Sequence, residues 1–444
     1  MTTFILALLI LTSQPEPLDL KGCIAVALRE SGTVQQARAR IEIYKARLKQ
    51  VESVYYPKIQ TLFYVAPMFT VRGDATTNIE RKFGPGDWGP YTRLEAQFAW
   101  PFYSFGRVEA GKDAATHRMN VERARLQATE QSVALEVSRL YFLRLFAQSM
   151  VPAITHARDI IDKAIETAEH MHAKGQGVTT VDLAKLQYGK NELARHLRTA
   201  ERGILVAEAA LKHTMGLLPE DPLQFTENKL NPLPEILEAR PLVTLLEEAA
   251  SQRPEWAQLE QGKKAAIAWS LAEKRANFPV LFFGGQLQLG WAPTRDDTTN
   301  PYQFDPFNQI FGGVALGFMW GLDPALAKAK SLEADANAVE VDGLKRFADT
   351  GIPVQVIKAA SDREQHFAAA TDSHESVRYT RQWVTFASTA YDSGTADARD
   401  VLEGIVAHVQ SKRTLYESIR DFNIAEAELA YAVGHDVQEN NTKP

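Results

Sequence analysis

Asp397, Asp400 and Glu403 recur at intervals of three behind Gly394, a spacing that puts three carboxylates on roughly one face of a helix. Carboxylates gathered in this way attract cations, repel anions and resist ionising together. Acids near a helix start also answer the helix dipole, so the pattern alone fits a selective ring and a solvated helix end equally well. Other residues of chemical interest lack partners at a working spacing. His170 and His172 are two apart, off a shared helix face, and neither belongs to a zinc signature. Gly84-Pro85-Gly86-Asp87-Trp88-Gly89 spells G-x-G-x-x-G, but it runs into Pro90 and a strand rather than a helix, so it is no phosphate cradle. The seven Met residues are scattered and offer no soft-ligand ladder for copper or silver. Cys23, the single cysteine, excludes an intrachain disulfide framework and a cysteine-rich metal cluster. No catalytic constellation is present, so neither an enzyme nor a cofactor or metal site is expected.

The chain that must position those acids has 444 residues, with 49 Lys+Arg against 55 Asp+Glu and a formal charge of -6. That balance excludes a general nucleic-acid binder, which needs a basic face to displace counterions. With 45% hydrophobic and 23% charged residues, the chain can bury a core. Mean hydropathy is -0.24, and no apolar run approaches the roughly 20 residues of a spanning helix. Phe4–Leu11 has the length of a signal-peptide apolar stretch, so residues 1–17 read as an export signal, although no Lys or Arg precedes the run. Leu20-Lys21-Gly22-Cys23 has some likeness to a lipoprotein box, but Lys21 fits it poorly and Pro15-Glu16-Pro17 separates it from the apolar run. Cys23 reads instead as an apolar helix position beside Ala27 and Leu28.

The architecture is written twice. Pro57 and Pro279, 222 apart, each precede an apolar stretch; Gly106 and Gly321 each close a strand-like run and open a long helix. Gly177 and Gly394 interrupt those helices, and Gly216 and Gly434 end them 218 apart. The first repeat spans 18–216, a Pro-rich linker 217–243 and the second repeat 244–434, leaving a polar tail at 435–444. Within each repeat a helical stretch leads into strands, at about 58–71 and 91–105, then about 279–292 and 310–322. Helical pattern then runs from Arg107 to about Lys174, and again over 323–392, each roughly 100 Å long at about 1.5 Å per residue. Pro152 and Pro353 are expected to kink or briefly interrupt these runs. The helix tips fall at 175–182 and 394–400.

Leu94, Ala96, Phe98, Trp100 and Phe102 alternate with Arg93, Glu95, Gln97 and Ala99. A strand of about ten residues, apolar on one face and ending in aromatics, is the unit of a transmembrane β-barrel. Leu94, Phe98, Trp100 and Phe102 are then the lipid-facing set, and Arg93, Glu95 and Gln97 the lumen. Four strands cannot close a barrel, the smallest having about eight, so several chains must contribute.

On these residues the chain resembles the TolC-type outer-membrane efflux proteins, from residue 18 to 435. The likeness rests on Tyr56-Pro57 and Phe278-Pro279 before strands, and on Pro101-Phe102-Tyr103-Ser104-Phe105-Gly106-Arg107 leaving them. It also rests on the tips Gly177…Asp182-Leu183 and Gly394…Asp400-Val401-Leu402. Two departures stand out: Arg29-Glu30-Ser31-Gly32 replaces the usual Asn-Pro, and Ala396 stands where the family's gate often carries arginine. The resemblance implies a mainly helical fold, a homotrimer in which each chain gives four strands to one twelve-stranded β-barrel above a long α-helical barrel. It further implies a periplasmic adaptor (membrane fusion protein) and an inner-membrane transporter as partners, and outer-membrane lipid around the strands. By the same resemblance, Asp400 and Glu403 fall on acidic constriction positions, while Tyr391 and Asp182 fall on positions whose hydrogen bond holds the tips closed.

The expected function is therefore a passive exit duct for small molecules such as drugs and toxic compounds, in the outer membrane and extending into the periplasm. A type I protein-secretion duct is the alternative within the family. A soluble periplasmic coiled-coil scaffold, with the strands as a small sandwich, is the alternative outside it.

Overall fold

The computed structural model describes residues 16–73, 79–175, 178–230, 232–238, 240–297, 302, 305 and 307–436. Nearly all of the export signal, Gly177 of the first tip and residues 437–444 of the tail lie outside the described residues. The described residues form two compact units that cut across the two repeats. One takes residues up to Arg40, Glu122–Gln258 and Leu344 onward; the other takes Ile41–Val121 and Leu259–Gly343.

The elements follow one another as α1 (Leu20–Glu30), α2 (Gly32–Glu52), β1 (Lys58–Arg72), β2 (Glu80–Lys82), β3 (Trp88–Tyr103), α3 (Arg107–Ala173) and α4 (Thr180–Met215) in the first repeat. The second gives α5 (Leu242–Gln252), α6 (Pro254–Lys274), β4 (Val280–Trp291), β5 (Gln309–Met319), α7 (Pro324–Asp392) and α8 (Ala398–Val433). Helices α3 and α7 run unbroken through Pro152 and Pro353, so the expected interruptions are absent. Both long helices end at left-handed glycines where L side chains would be strained, Gly175 at φ 70° and Gly394 at φ 74°.

In the helical unit, three apolar clusters tie the bundle. Cys23, Ile24 and Ala27 of α1 pack with Val137, Tyr141 and Leu145 of α3 and Leu211 and Met215 of α4. Near the tips, Ile154, Ile161 and Ala168 of α3 meet Leu186 of α4, Val384 and Tyr391 of α7, and Val401 and Ile405 of α8. The third cluster joins Leu245 and Ala249 of α5 to Ile352 and Val356 of α7 and Leu429 and Val433 of α8. Each fully buried aliphatic side chain contributes about 1.5–3 kcal/mol of transfer free energy. Cys23 is completely buried and burial pushes its thiol up to about 12, so it is a core residue of α1.

The other unit holds one antiparallel sheet in the order β2-β1-β3-β4-β5. Four of the strands are long; β2 has three residues and pairs with the last three of β1. This fifth strand was not expected, because Glu80-Arg81-Lys82 is short, charged and without alternation.

Candidate functional site

The sheet segregates its faces as the period of two demands. Phe98 pairs with Ile59 and with Gly285, which in turn pairs with Val314; Leu94 pairs with Phe63 and with Leu289, which pairs with Ile310. These residues make one apolar face, on which Ile59, Phe63, Trp100, Ile310, Val314, Leu316 and Phe318 are all exposed. Gly285 is required there: a Cβ would come within 2.5 Å of the Phe98 ring. On the opposite face Gln97 pairs with Gln60 and Gln286, Glu95 with Gln288, and Arg93 binds Glu95 at 2.5 Å. Leu94, Phe98 and Trp100 thus share the apolar face. Phe102 sits in a register shift between Pro101 and Tyr103, with its ring 6.5 Å from that of Trp100.

Tyr56 and Phe278 are extended, at φ/ψ of -90°/146° and -88°/151°, as residues before proline must be. Pro57 and Pro279 follow them and stand just outside β1 and β4, where a missing N–H costs the ladder nothing. One further device recurs in both repeats. The Trp100 indole donates to the Tyr55 carbonyl and the Trp320 indole to the Asn277 carbonyl, each at 2.8 Å. The two glycines after the strands differ. Gly106 has φ 81° and its carbonyl accepts from the Arg275 guanidinium at 2.8 Å. Gly321 has an ordinary φ and open space where a Cβ would stand.

At the first tip Thr179 is the N-cap of α4. Its hydroxyl accepts from the Asp182 amide at 3.2 Å, and the Asp182 carboxylate accepts from the Thr179 amide at 3.1 Å and hydroxyl at 2.6 Å. These bonds, with help from Lys185, hold the Asp182 carboxyl below the usual carboxylate range. The expected hydrogen bond from Tyr391 to Asp182 is not formed. The Tyr391 hydroxyl is buried without a hydrogen-bond partner among the described residues, and burial followed by the Asp182 charge pushes it up. Asp182 is already committed to its own helix start. His172 turns its Nδ1 to the Val178 carbonyl at 2.8 Å and so belongs to the turn.

At the second tip Asp397 is the N-cap of α8, yet its side chain makes no capping bond. Asp400 is exposed, as is Glu403, which is bound by Arg399 at 2.6 Å one turn away. The three carboxylates therefore share a helix start as expected, but one carries its own countercharge. Arg399 was readable as the basic half of an i,i+4 pair and was passed over beside the acids. Gly175 is the left-handed glycine among the described residues of the first tip, and Gly177, two residues on, lies outside them.

An apolar groove of about 1100 Å³ runs between α3, α4 and α8, lined among others by Met150, Ile161, Tyr188, Val206 and Val406. No described helix is long and apolar enough to cross a membrane, and no cluster of His, Cys, Asp or Glu among the described residues could hold a metal ion.

Residues 23–216 match the family described as outer membrane efflux protein. No curated protein matches the chain by sequence. Among solved structures, the CmeC outer membrane channel of Campylobacter jejuni is similar with a TM-score of 0.76 at 14% identity, over 95% of this chain and 87% of that one. The outer membrane protein VceC of Vibrio cholerae gives 0.70 at 16% identity, over 94% and 97%. The open state of the MtrE outer membrane channel of Neisseria gonorrhoeae gives 0.69 at 18%, over 96% and 91%. The family match thus covers most of the first repeat, and over nearly its whole length the chain shares the fold of these outer-membrane channels.

Proposed function

We propose that this protein is the exit duct of a tripartite export system, passing small molecules such as drugs and toxic compounds from the periplasm to the exterior. The observation that carries the reading is the sheet: an exposed apolar face backed by a polar face, with β5 and all of β1 but its last three residues left as edges. Four long strands from each of three copies, twelve in all, would close a barrel and remove those edges. Leu94, Phe98, Trp100 and Phe102 then meet lipid, and Arg93, Glu95 and Gln97 line the lumen. Energy comes from an inner-membrane transporter, and the groove between α3, α4 and α8 is the docking place for a periplasmic adaptor. Sucrose-gradient fractionation of expressing Gram-negative cells, with a urea wash of the membranes, tests the reading. Retention in the outer membrane is expected, and release into the soluble periplasm overturns the duct.

The second tip is its periplasmic gate. Because Arg399 balances Glu403, Asp400 carries the larger share of any cation preference there. Asp400→Asn with Glu403→Gln should reduce the cation selectivity of single channels, most of the loss coming from Asp400. Unchanged selectivity removes the gate role from both acids.

A further inference from the structure

Tyr91 lies on the polar face of β3 with Arg93, Glu95 and Gln97, yet it is only 5% exposed, while its neighbours on that face remain partly or fully open. What covers it are described residues on either side of the β4–β5 connection, Ala292–Asp297 after β4 and Phe307 and Asn308 before β5. Asn308 closes the base of that loop, its side chain accepting from the Ala292 amide at 2.6 Å and donating to the Ala292 and Arg295 carbonyls, each at 3.2 Å. The Phe307 ring meets Tyr91 edge-on at 5.7 Å, and the Arg295 guanidinium lies 4.2 Å from the Phe307 ring centre. Two glycines of the same polar face let the loop approach. A Cβ on Gly290 would stand 2.5 Å from the Phe307 carbonyl oxygen, and one on Gly89 would collide with the Thr294 methyl. The loop then reaches β1: Val71 donates to the Thr294 carbonyl at 3.1 Å, Arg72 binds Asp296 at 2.6 Å, and the Gly73 amide donates to Asp296 at 2.9 Å.

Ala292–Asp297, with Phe307 and Asn308, thus forms a strap from β4 across β3 to the end of β1, laid on the polar face instead of splaying away from it. Resting on the duct reading, we infer that this strap is a constriction at the outer mouth that sets the size of solute able to leave, and that Arg72–Asp296 is its latch. With one strap per chain, the copies together narrow the lumen at the level of Tyr91.

The test uses the full chain inserted in membranes. A Cβ on Gly89 would lie 3.5 Å from the Thr294 Cβ, at the short end of the disulfide range of about 3.5–4.5 Å, so Gly89→Cys with Thr294→Cys should crosslink on mild oxidation. Planar-bilayer recordings with graded poly(ethylene glycol)s on the loop side then read the exclusion limit. Arg72→Ala with Asp296→Ala should shift the limit to larger polymers, and adding the oxidised cysteine pair to that variant should restore it. A conducting channel whose limit is the same in every variant, or inserted protein whose cysteines do not crosslink, overturns the strap. Absence of any conductance from the wild type and all variants overturns the duct reading, and the strap with it.

Discussion

The two helix tips occupy equivalent places in the repeats and are finished differently. The N-caps Thr179 and Asp397 lie 218 residues apart, as do the third-position acids Asp182 and Asp400. The first tip closes a capping box; the second leaves Asp397 without a capping bond and Asp400 exposed. Deeper in the same helices the contrast continues. Lys190 of α4 meets Asp162 of α3 at 2.8 Å, whereas 218 residues later His408 faces Thr380 at 3.2 Å. Nearer the linker the repeats agree again. Arg144 binds Glu208 at 2.9 Å and donates to the Glu227 carbonyl at 2.9 Å; Arg363 binds Glu426 and donates to the Glu238 carbonyl at 3.0 Å. Gly216 and Gly434, both left-handed, end α4 and α8 against the backbone at Glu30 and at Arg253. Where the linker packs against the helices, one solution recurs in both repeats. Where a helix ends freely, the second repeat carries uncommitted charge.

The largest effect should come from the shared device. Arg144 and Arg363 are both nearly buried, at 7% and 11% side-chain exposure, and removing one partner of a buried pair costs about 3–5 kcal/mol. Arg144→Ala should cost the more of the two, since its guanidinium also lies 3.8 Å from the Phe225 ring centre and binds Asn228 at 3.2 Å. Denaturant unfolding of the detergent-extracted protein reads the difference. A negligible cost at Arg363 would show that the second clamp is a likeness in sequence only.

The tips separate by a smaller margin. Thr179→Ala should remove about 1 kcal/mol of helix-start stability, the usual worth of an N-cap. Asp397→Ala should remove much less, because no capping bond is lost. Hydrogen exchange of the first-turn amides of α4 and α8 gives both numbers in one experiment. Equal deprotection would mean that Asp397 caps α8 in solution, and the contrast between the tips would go.

How much of this was legible follows from where the information lies. Repeats, strands and long helices show in local period and in Gly and Pro, because a period of two or 3.6 and a forced φ are properties of a few neighbouring residues. The polar and apolar faces of β3 were readable for the same reason. The Trp100 and Trp320 indole bonds were within reach, since the two tryptophans recur at nearly the same distance, 44 residues after Tyr56 and 42 after Phe278. The arginine clamps were not, because Arg144 and Glu227 meet only when the linker packs back on α3. The strap over Tyr91 was hidden for a like reason: its contacts join residues of both repeats, and a loop's path over a sheet leaves no period. The Tyr391–Asp182 bond was expected from resemblance and failed on a local fact, the Thr179 side chain three residues before Asp182.

The last predicted effect concerns pH and sharpens the contrast deeper in the helices. Burial, then the charges of Lys412, His156 and Arg381, hold the His408 imidazole down to about 4. In the unfolded chain the same group titrates near about 6.5. Above that value both states are neutral and His408 contributes nothing to the pH dependence. As pH falls from about 6.5 towards 4, the unfolded chain takes up a proton that the folded one refuses, so stability drops across that window and no further below it. His408→Gln should flatten this part of the acid limb of a stability–pH curve, while Lys190→Gln should leave it in place. An unaltered limb in His408→Gln would mean that the second repeat is no more acid-sensitive here than the first, and that replacing an ion pair by a buried histidine has little thermodynamic consequence.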